Sequence, residues 1–252
     1  MRYGIVTGVS KGLGESVAKI LMEAGIHVIG ISRSINDSLN EIARQNNVSF
    51  HHFTCDLGDV DAIEETFGHM SSLIFSEEPS SVYLVNNAAV LDPIDKSMNL
   101  DSHGLAYHVK VNSLAPMVLT NLFLEKATEK DVPLIGATIT SGAAERPVYG
   151  WSAYCSTKAS INMYTKTAAL EQDELKTRNK VIAFSPGVMD TQMQEKIRAS
   201  NKDEFIEVDT FKGYKNKNLL KDTDAIGGVL VDILTDESSV ENGKIYNVKD
   251  YF

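Results

Sequence analysis

Short runs rich in β-branched and aromatic residues alternate with longer stretches of helical periodicity along the whole chain, and this alternation restricts the fold more than any other feature. A β-run, a helix and a second β-run bring the second strand back parallel to the first, so repeated units build a parallel sheet with helices on both faces. Strands are predicted at Tyr3 to Thr7, His27 to Ile31, Ser49 to Cys55, Val82 to Asn86, Leu134 to Thr140, Lys180 to Ser185 and Lys244 to Val248. The result is a doubly wound α/β sheet of about seven strands.

Helices are predicted at Gly12 to Ala24, Ser38 to Gln45, Val60 to Phe75, Leu100 to Ala127, Ser152 to Leu175 and Asp222 to Thr235. In the first, Leu13, Val17, Ile20, Leu21 and Ala24 recur at helical spacing, and Gly25 stands just beyond as a stop signal. At 252 residues and 43% hydrophobic, the chain can bury one sizeable core. No repeat, low-complexity tract or linker divides it, so one domain over 1–252 is expected. The least regular stretch, Asp190 to Lys217 (190–217), is charged yet carries Met193, Phe205, Phe211 and Tyr214. It reads either as a segment covering a substrate or as a solvated excursion.

Charge and cysteines narrow the partners. A formal charge of −10 repels polyanions, which argues against nucleic acid. Apolar runs are broken by charge before about 18 residues, so no membrane span is expected. Met1-Arg2 leads straight into the first strand, leaving no room for a cleaved leader, and Cys55 and Cys155 are too few for a disulfide framework. A cytoplasmic location is the expectation.

Thr7-Gly8-Val9-Ser10-Lys11-Gly12-Leu13-Gly14 lies between the first strand and the first helix, where a Rossmann-type unit turns backbone N–H groups and a helix N-terminus toward a pyrophosphate. Glycine permits close approach and positive φ there. The second strand ends at Ile31-Ser32-Arg33, without the carboxylate that would favour a ribose 2′-hydroxyl. Arg33 can instead fork onto a 2′-phosphate, with Lys11 as a second cation, so the expected cofactor is NADP(H).

Tyr154 and Lys158 fall four residues apart on one face of the predicted helix that Ser152 is placed to cap. A free tyrosine, with a pKa of about 10, exchanges protons poorly near neutrality, whereas a neighbouring ammonium favours the phenolate. A Tyr-x-x-x-Lys pair is common by chance, but here Ser141 ends the fifth strand, and strand carboxyl ends line the ligand crevice of such sheets. No metal is expected. His51-His52 point to opposite faces of a strand, and His103 and His108 are spaced for neither ligation nor one helix face.

With these motifs in place the chain resembles the short-chain dehydrogenase/reductase family over nearly its whole length. Thr7 to Gly14 resembles that family's cofactor loop, Asp56-Leu57 its adenine-contacting pair, Asn86-Asn87-Ala88-Ala89 its sheet-supporting motif and Pro186-Gly187 its nicotinamide-side turn. Ala89 stands where the family usually has glycine. Asn112, Ser141, Tyr154 and Lys158 match its catalytic tetrad. Ser185 to Met193, Val111 to Met117 and Gly150 to Cys155 further resemble the sepiapterin reductases and the related benzil reductases that form (S)-benzoin.

The resemblance implies an NADPH-dependent carbonyl reductase acting on a ketone such as a 1,2-diketone or a sepiapterin-like compound. Tyr154 would be the acid, Lys158 would hold the ribose and lower the Tyr154 pKa, Ser141 would bind the carbonyl oxygen, and Asn112 would place a relay water. Gly8, Ser10, Lys11, Gly12, Leu13, Gly14, Ser32, Arg33, Asp56, Leu57, Asn87, Pro186, Gly187, Val188 and Thr191 would hold the cofactor with Tyr154 and Lys158. Gly187 would join Ser141 and Tyr154 at the substrate. A homo-oligomer, with a dimer favoured, is implied through the helix faces at Leu100 to Ala127 and Ser152 to Leu175. A 3-oxoacyl carrier-protein reductase, another short-chain alcohol dehydrogenase and a non-catalytic NADPH-sensing module remain the alternatives.

Overall fold

The computed structural model describes all residues, Met1–Phe252. Seven parallel strands, β1 (Arg2–Thr7), β2 (His27–Ser32), β3 (Phe50–Thr54), β4 (Ser81–Asn86), β5 (Leu134–Ile139), β6 (Lys180–Ser185) and β7 (Ile245–Asn247), lie in the order β3-β2-β1-β4-β5-β6-β7. The order reverses direction between β1 and β4, opening a crevice beyond their carboxyl ends. Strands β1, β2, β4, β5 and β6 are buried almost throughout, because helices cover both sheet faces and the strands carry apolar residues on both sides.

One face of the sheet packs against α1 (Gly12–Glu23), α2 (Ser38–Gln45) and α9 (Thr223–Thr235) through residues such as Val17, Leu21, Leu39 and Leu230. The other packs against α3 (Val60–Phe75), α5 (Ala115–Glu129) and α6 (Ser152–Glu174) through Ile63, Phe123 and Ala168. Helix α1 ends as expected at Gly25, whose φ of +74° suits a left-handed stop.

Three expectations change. The helix predicted from Leu100 to Ala127 is broken into α4 (Ser102–Val109), a π-helical turn at Lys110–Leu114, and α5. Pro116 supplies the reason: it has no N–H to give to the carbonyl four residues back, that of Asn112, and its ring crowds that carbonyl. The stretch 190–217 is largely helical, with α7 (Gln192–Arg198) and α8 (Val208–Asn216). Ser152 is the first residue of α6 rather than its cap; the capping position belongs to Trp151, without a side-chain cap.

Candidate active site

A cleft of about 830 Å³ runs along the carboxyl ends of the strands. Gly8, Ser10, Lys11, Gly12 and Leu13 line one end of it, with Ser32, Arg33, Asp56, Leu57 and Asn87 nearby. Ser141, Tyr154, Lys158, Pro186, Gly187, Val188 and Thr191 line the other end. Gly14 and Asn112 stand behind the wall rather than in it.

The glycine loop has the shape a pyrophosphate needs. Gly8 and Gly12 adopt φ of +74° and +62°. A Cβ on Gly12 would meet nothing nearer than Thr191 Cγ2 at 3.6 Å, so this glycine borders open space. Gly14 serves packing: a Cβ there would lie 2.3 Å from the Gly8 carbonyl oxygen and 2.4 Å from Asn87 Nδ2. Helix α1 has no side-chain cap at its N-terminus, and its first residues, Gly12 and Leu13, line the cleft. Lys11 donates to Gln192 Oε1, which ties the loop to the first turn of α7.

The crevice between β1 and β4 is held by side chains. Thr7 Oγ1 accepts from the backbone N–H of Asn87 and of Ala88, both at 2.9 Å, and Asn87 Nδ2 donates to Thr7 O at 2.9 Å. Asn86 Nδ2 donates to Thr120 Oγ1 at 3.0 Å, fastening β4 to α5. At the far rim Arg33 Nη1 donates to Tyr107 Oη at 3.3 Å, which donates to Asp56 Oδ1 at 2.9 Å. Tyr107, from α4, therefore joins two sequence-predicted residues, and no motif marks it.

At the other end Lys158 is buried, and its Nζ donates to the Ile139 carbonyl at 2.7 Å while standing 5.7 Å from the centre of the Tyr154 ring. Burial lowers the Lys158 pKa to about 8. Burial pushes Tyr154 up to about 12, with a hydrogen bond from Ser141 acting in the opposite sense. Desolvation of the phenolate is the largest cause, and the Ser141 hydrogen bond offsets only part of it. Ser141 caps a short 3-10 turn, Gly142–Ala144, and its Oγ accepts from the Ala143 N–H at 3.2 Å. Asn112 is buried in the π-helical turn, its Oδ1 accepting from Val90 N at 2.8 Å and its Nδ2 donating to Val90 O at 2.7 Å.

An aromatic cluster walls the space beyond Tyr154. Trp151 stacks on Phe205 at 4.7 Å between ring centres and meets Phe211 and Tyr154 edge-on at 5.5 and 5.2 Å. Segment 190–217 is fastened to the approach to α6: Arg146 makes a two-pronged pair with Glu207 at 2.8 and 2.9 Å. Gly150 lies so close to this segment that a Cβ would be 2.1 Å from the Glu204 carbonyl oxygen. Leu91, Val148 and Met193 complete an apolar lining. The sequence signalled Met193, Phe205, Phe211 and Tyr214, but not Leu91, Val148, Trp151 or Arg146 as walls of the site.

A parallel sheet of this order, a glycine loop at its switch point and a serine, tyrosine and lysine around one cleft define a nicotinamide-dependent oxidoreductase fold and site. The short chain dehydrogenase family model matches residues 3–202, and the protein belongs to that family, whose members act on CH–OH and C=O groups. It is 38% identical over 237 residues to a benzil reductase ((S)-benzoin forming) of Bacillus cereus, covering 94% of this chain and 95% of the relative. A benzil reductase ((S)-benzoin forming) of Bacillus subtilis (strain 168) is 36% identical over 251 residues, the whole of both chains. In fold it resembles a short chain dehydrogenase/reductase of Saccharomyces cerevisiae, with a TM-score of 0.83, 24% identity and coverage of 98% and 96% of the two chains.

Proposed function

We propose that the protein is an NADPH-dependent ketone reductase whose substrate is a 1,2-diketone of the benzil type, reduced to an (S)-hydroxyketone. The observation that carries this reading is the convergence of Ser141, Tyr154 and Lys158 on the cleft that also holds the glycine loop. Full-length relatives named as benzil reductases support the diketone, and the lining of Leu91, Val148, Trp151, Met193 and Phe211 suits its aryl groups. Arg33 at the rim supports the 2′-phosphate, since no carboxylate stands at the end of β2 to repel it.

The glycine loop and Arg33 would hold NADPH, which would supply hydride for the carbonyl carbon. Ser141 donates a hydrogen bond to the carbonyl oxygen and holds it beside Tyr154, whose phenol delivers the proton. A Tyr154 value of about 12 keeps that phenol protonated at neutral pH, the form reduction requires. Lys158 carries its charge at neutral pH, holds the ribose hydroxyls and stabilises the phenolate left behind. Asn112, whose carbonyl Pro116 deprives of its helical donor, orders the water that returns a proton toward Lys158. The helix faces carrying exposed Leu105, Val109, Leu114, Met163 and Leu170 join two copies in a homodimer, and the unpaired Cys55 and Cys155 fit the cytoplasm.

The test is NADPH oxidation with benzil, other 1,2-diketones, sepiapterin and 3-oxoacyl carrier thioesters, with chiral analysis of the products. Benzil reduction to (S)-benzoin is expected, abolished in Tyr154→Phe with NADPH binding retained. Turnover of none of the ketones would defeat the proposal, as would near wild-type turnover by Tyr154→Phe.

A further inference from the structure

His108 is fully buried, lies against the tetrad and has no part in the mechanism above. Its Nδ1 is 2.7 Å from the carbonyl oxygen of Asp92, and its Nε2 is 2.9 Å from Asn112 Nδ2 and 3.2 Å from Thr157 Oγ1. A carbonyl can only accept, so Nδ1 carries the proton and donates to Asp92. Nε2 is then a lone-pair acceptor, and the donor aimed at it is the Asn112 amide.

This fixes the whole group. Asn112 gives one amide hydrogen to Val90 O and receives from Val90 N, so its orientation is set: a flipped amide would face donor against donor. The second amide hydrogen goes to His108 Nε2, leaving no unpaired polar atom on the Asn112 side chain. The histidine ring also reaches α6 between the two residues that matter there, touching Thr157 beside Lys158 and meeting the Tyr154 ring edge-on at 6.2 Å. Burial lowers the His108 pKa, which keeps Nε2 free to accept across neutral pH.

We propose that His108 is a positioning residue for the reduction: as a neutral Nδ1–H imidazole it locks the Asn112 amide and braces the π-helical turn against α6, setting the distance between the Asn112 backbone and Lys158. The inference rests on the carbonyl-reductase reading of this site. His108 acts through Asn112, and its loss slows turnover without weakening cofactor binding. Glutamine can replace it, since its amide oxygen can accept from Asn112 and its nitrogen can donate to Asp92; phenylalanine fills the space but offers no acceptor.

The experiment compares His108→Phe, His108→Gln, Asn112→Ala and the Phe/Ala double variant for kcat, KM and NADPH dissociation constant, with nitrogen NMR of the wild-type histidine ring. Phenylalanine is expected to lower kcat roughly 10- to 100-fold with the NADPH constant within about twofold, and glutamine to restore it to within about fivefold of wild type. In the Asn112→Ala background, His108→Phe should cost no more than about twofold further. Unchanged kcat in the phenylalanine variant, additive losses in the double variant, or a protonated Nε2 in the wild type would each overturn the proposal. Should the phenylalanine variant fail to fold, a glutamine variant with a tenfold loss or more would do the same. A wild-type protein that turns over no ketone would instead defeat the proposed function, while the NMR result still decides the state of His108.

Discussion

Lys158→Met should give an inactive protein that is more stable near neutral pH. The wild-type ammonium is buried and its pKa falls from the ordinary 10.5 to about 8. At about 1.4 kcal/mol per tenfold, this is a charge-burial cost of about 3 kcal/mol near pH 7. Methionine matches the lysine stem in shape but leaves the Ile139 carbonyl without its partner, which offsets about 1 to 2 kcal/mol. A net gain of about 1 to 2 kcal/mol remains. The sign with pH follows from proton counts: a lysine depressed on folding binds fewer protons in the folded than in the unfolded chain, so wild-type stability rises between about pH 8 and 10.5. The burial cost shrinks to about 1 kcal/mol near pH 10, so the methionine variant should lose its advantage there. Urea unfolding of both proteins at several pH values reads the effect. A variant less stable than wild type near pH 7, or a stability difference that does not change with pH, would refute this account of Lys158.

Reduction should be insensitive to pH below about 8 and fall above it, since Lys158 loses its charge there while Tyr154, at about 12, still holds its proton; a pH series of kcat checks this. Arg33→Ala should weaken NADPH about 10- to 100-fold and leave NADH within about twofold, as measured by titration of each cofactor. Gly150→Ala should cost about 1 to 3 kcal/mol in urea unfolding and raise KM for the ketone, because a φ of +85° and the Glu204 carbonyl both oppose a side chain.

The strands were legible because parallel strands buried on both faces are continuous apolar runs, and β1, β4, β5 and β6 lie within a residue of their predicted bounds. The site ends were legible where backbone geometry demands a residue type, as at Gly8 and Gly12, or where spacing along a helix puts two side chains together, as with Tyr154 and Lys158. The break at the π-helical turn was not, although Pro116 marks it, because apolar periodicity continues on both sides. Tyr107 and His108 were missed for another reason: their partners Arg33, Asp56 and Asp92 come from other elements, and only the histidine's i,i+4 relation to Asn112 is visible along the chain. Helices α7 and α8 were obscured by dense charge on faces that remain in water.

The Arg146–Glu207 pair, the Trp151–Phe205 stack and the seat of Glu204 on Gly150 fall within the seven residues that lead into the helix bearing Tyr154. Selectivity and reactivity therefore share a foundation. Remodelling the aromatic wall to admit a bulkier ketone would tilt the proton donor at the same time, so variants chosen for a new substrate would tend to lose rate. Leu91 and Met193 pack into the same cluster as Trp151 and Tyr154, so the rest of the apolar lining carries the same tie.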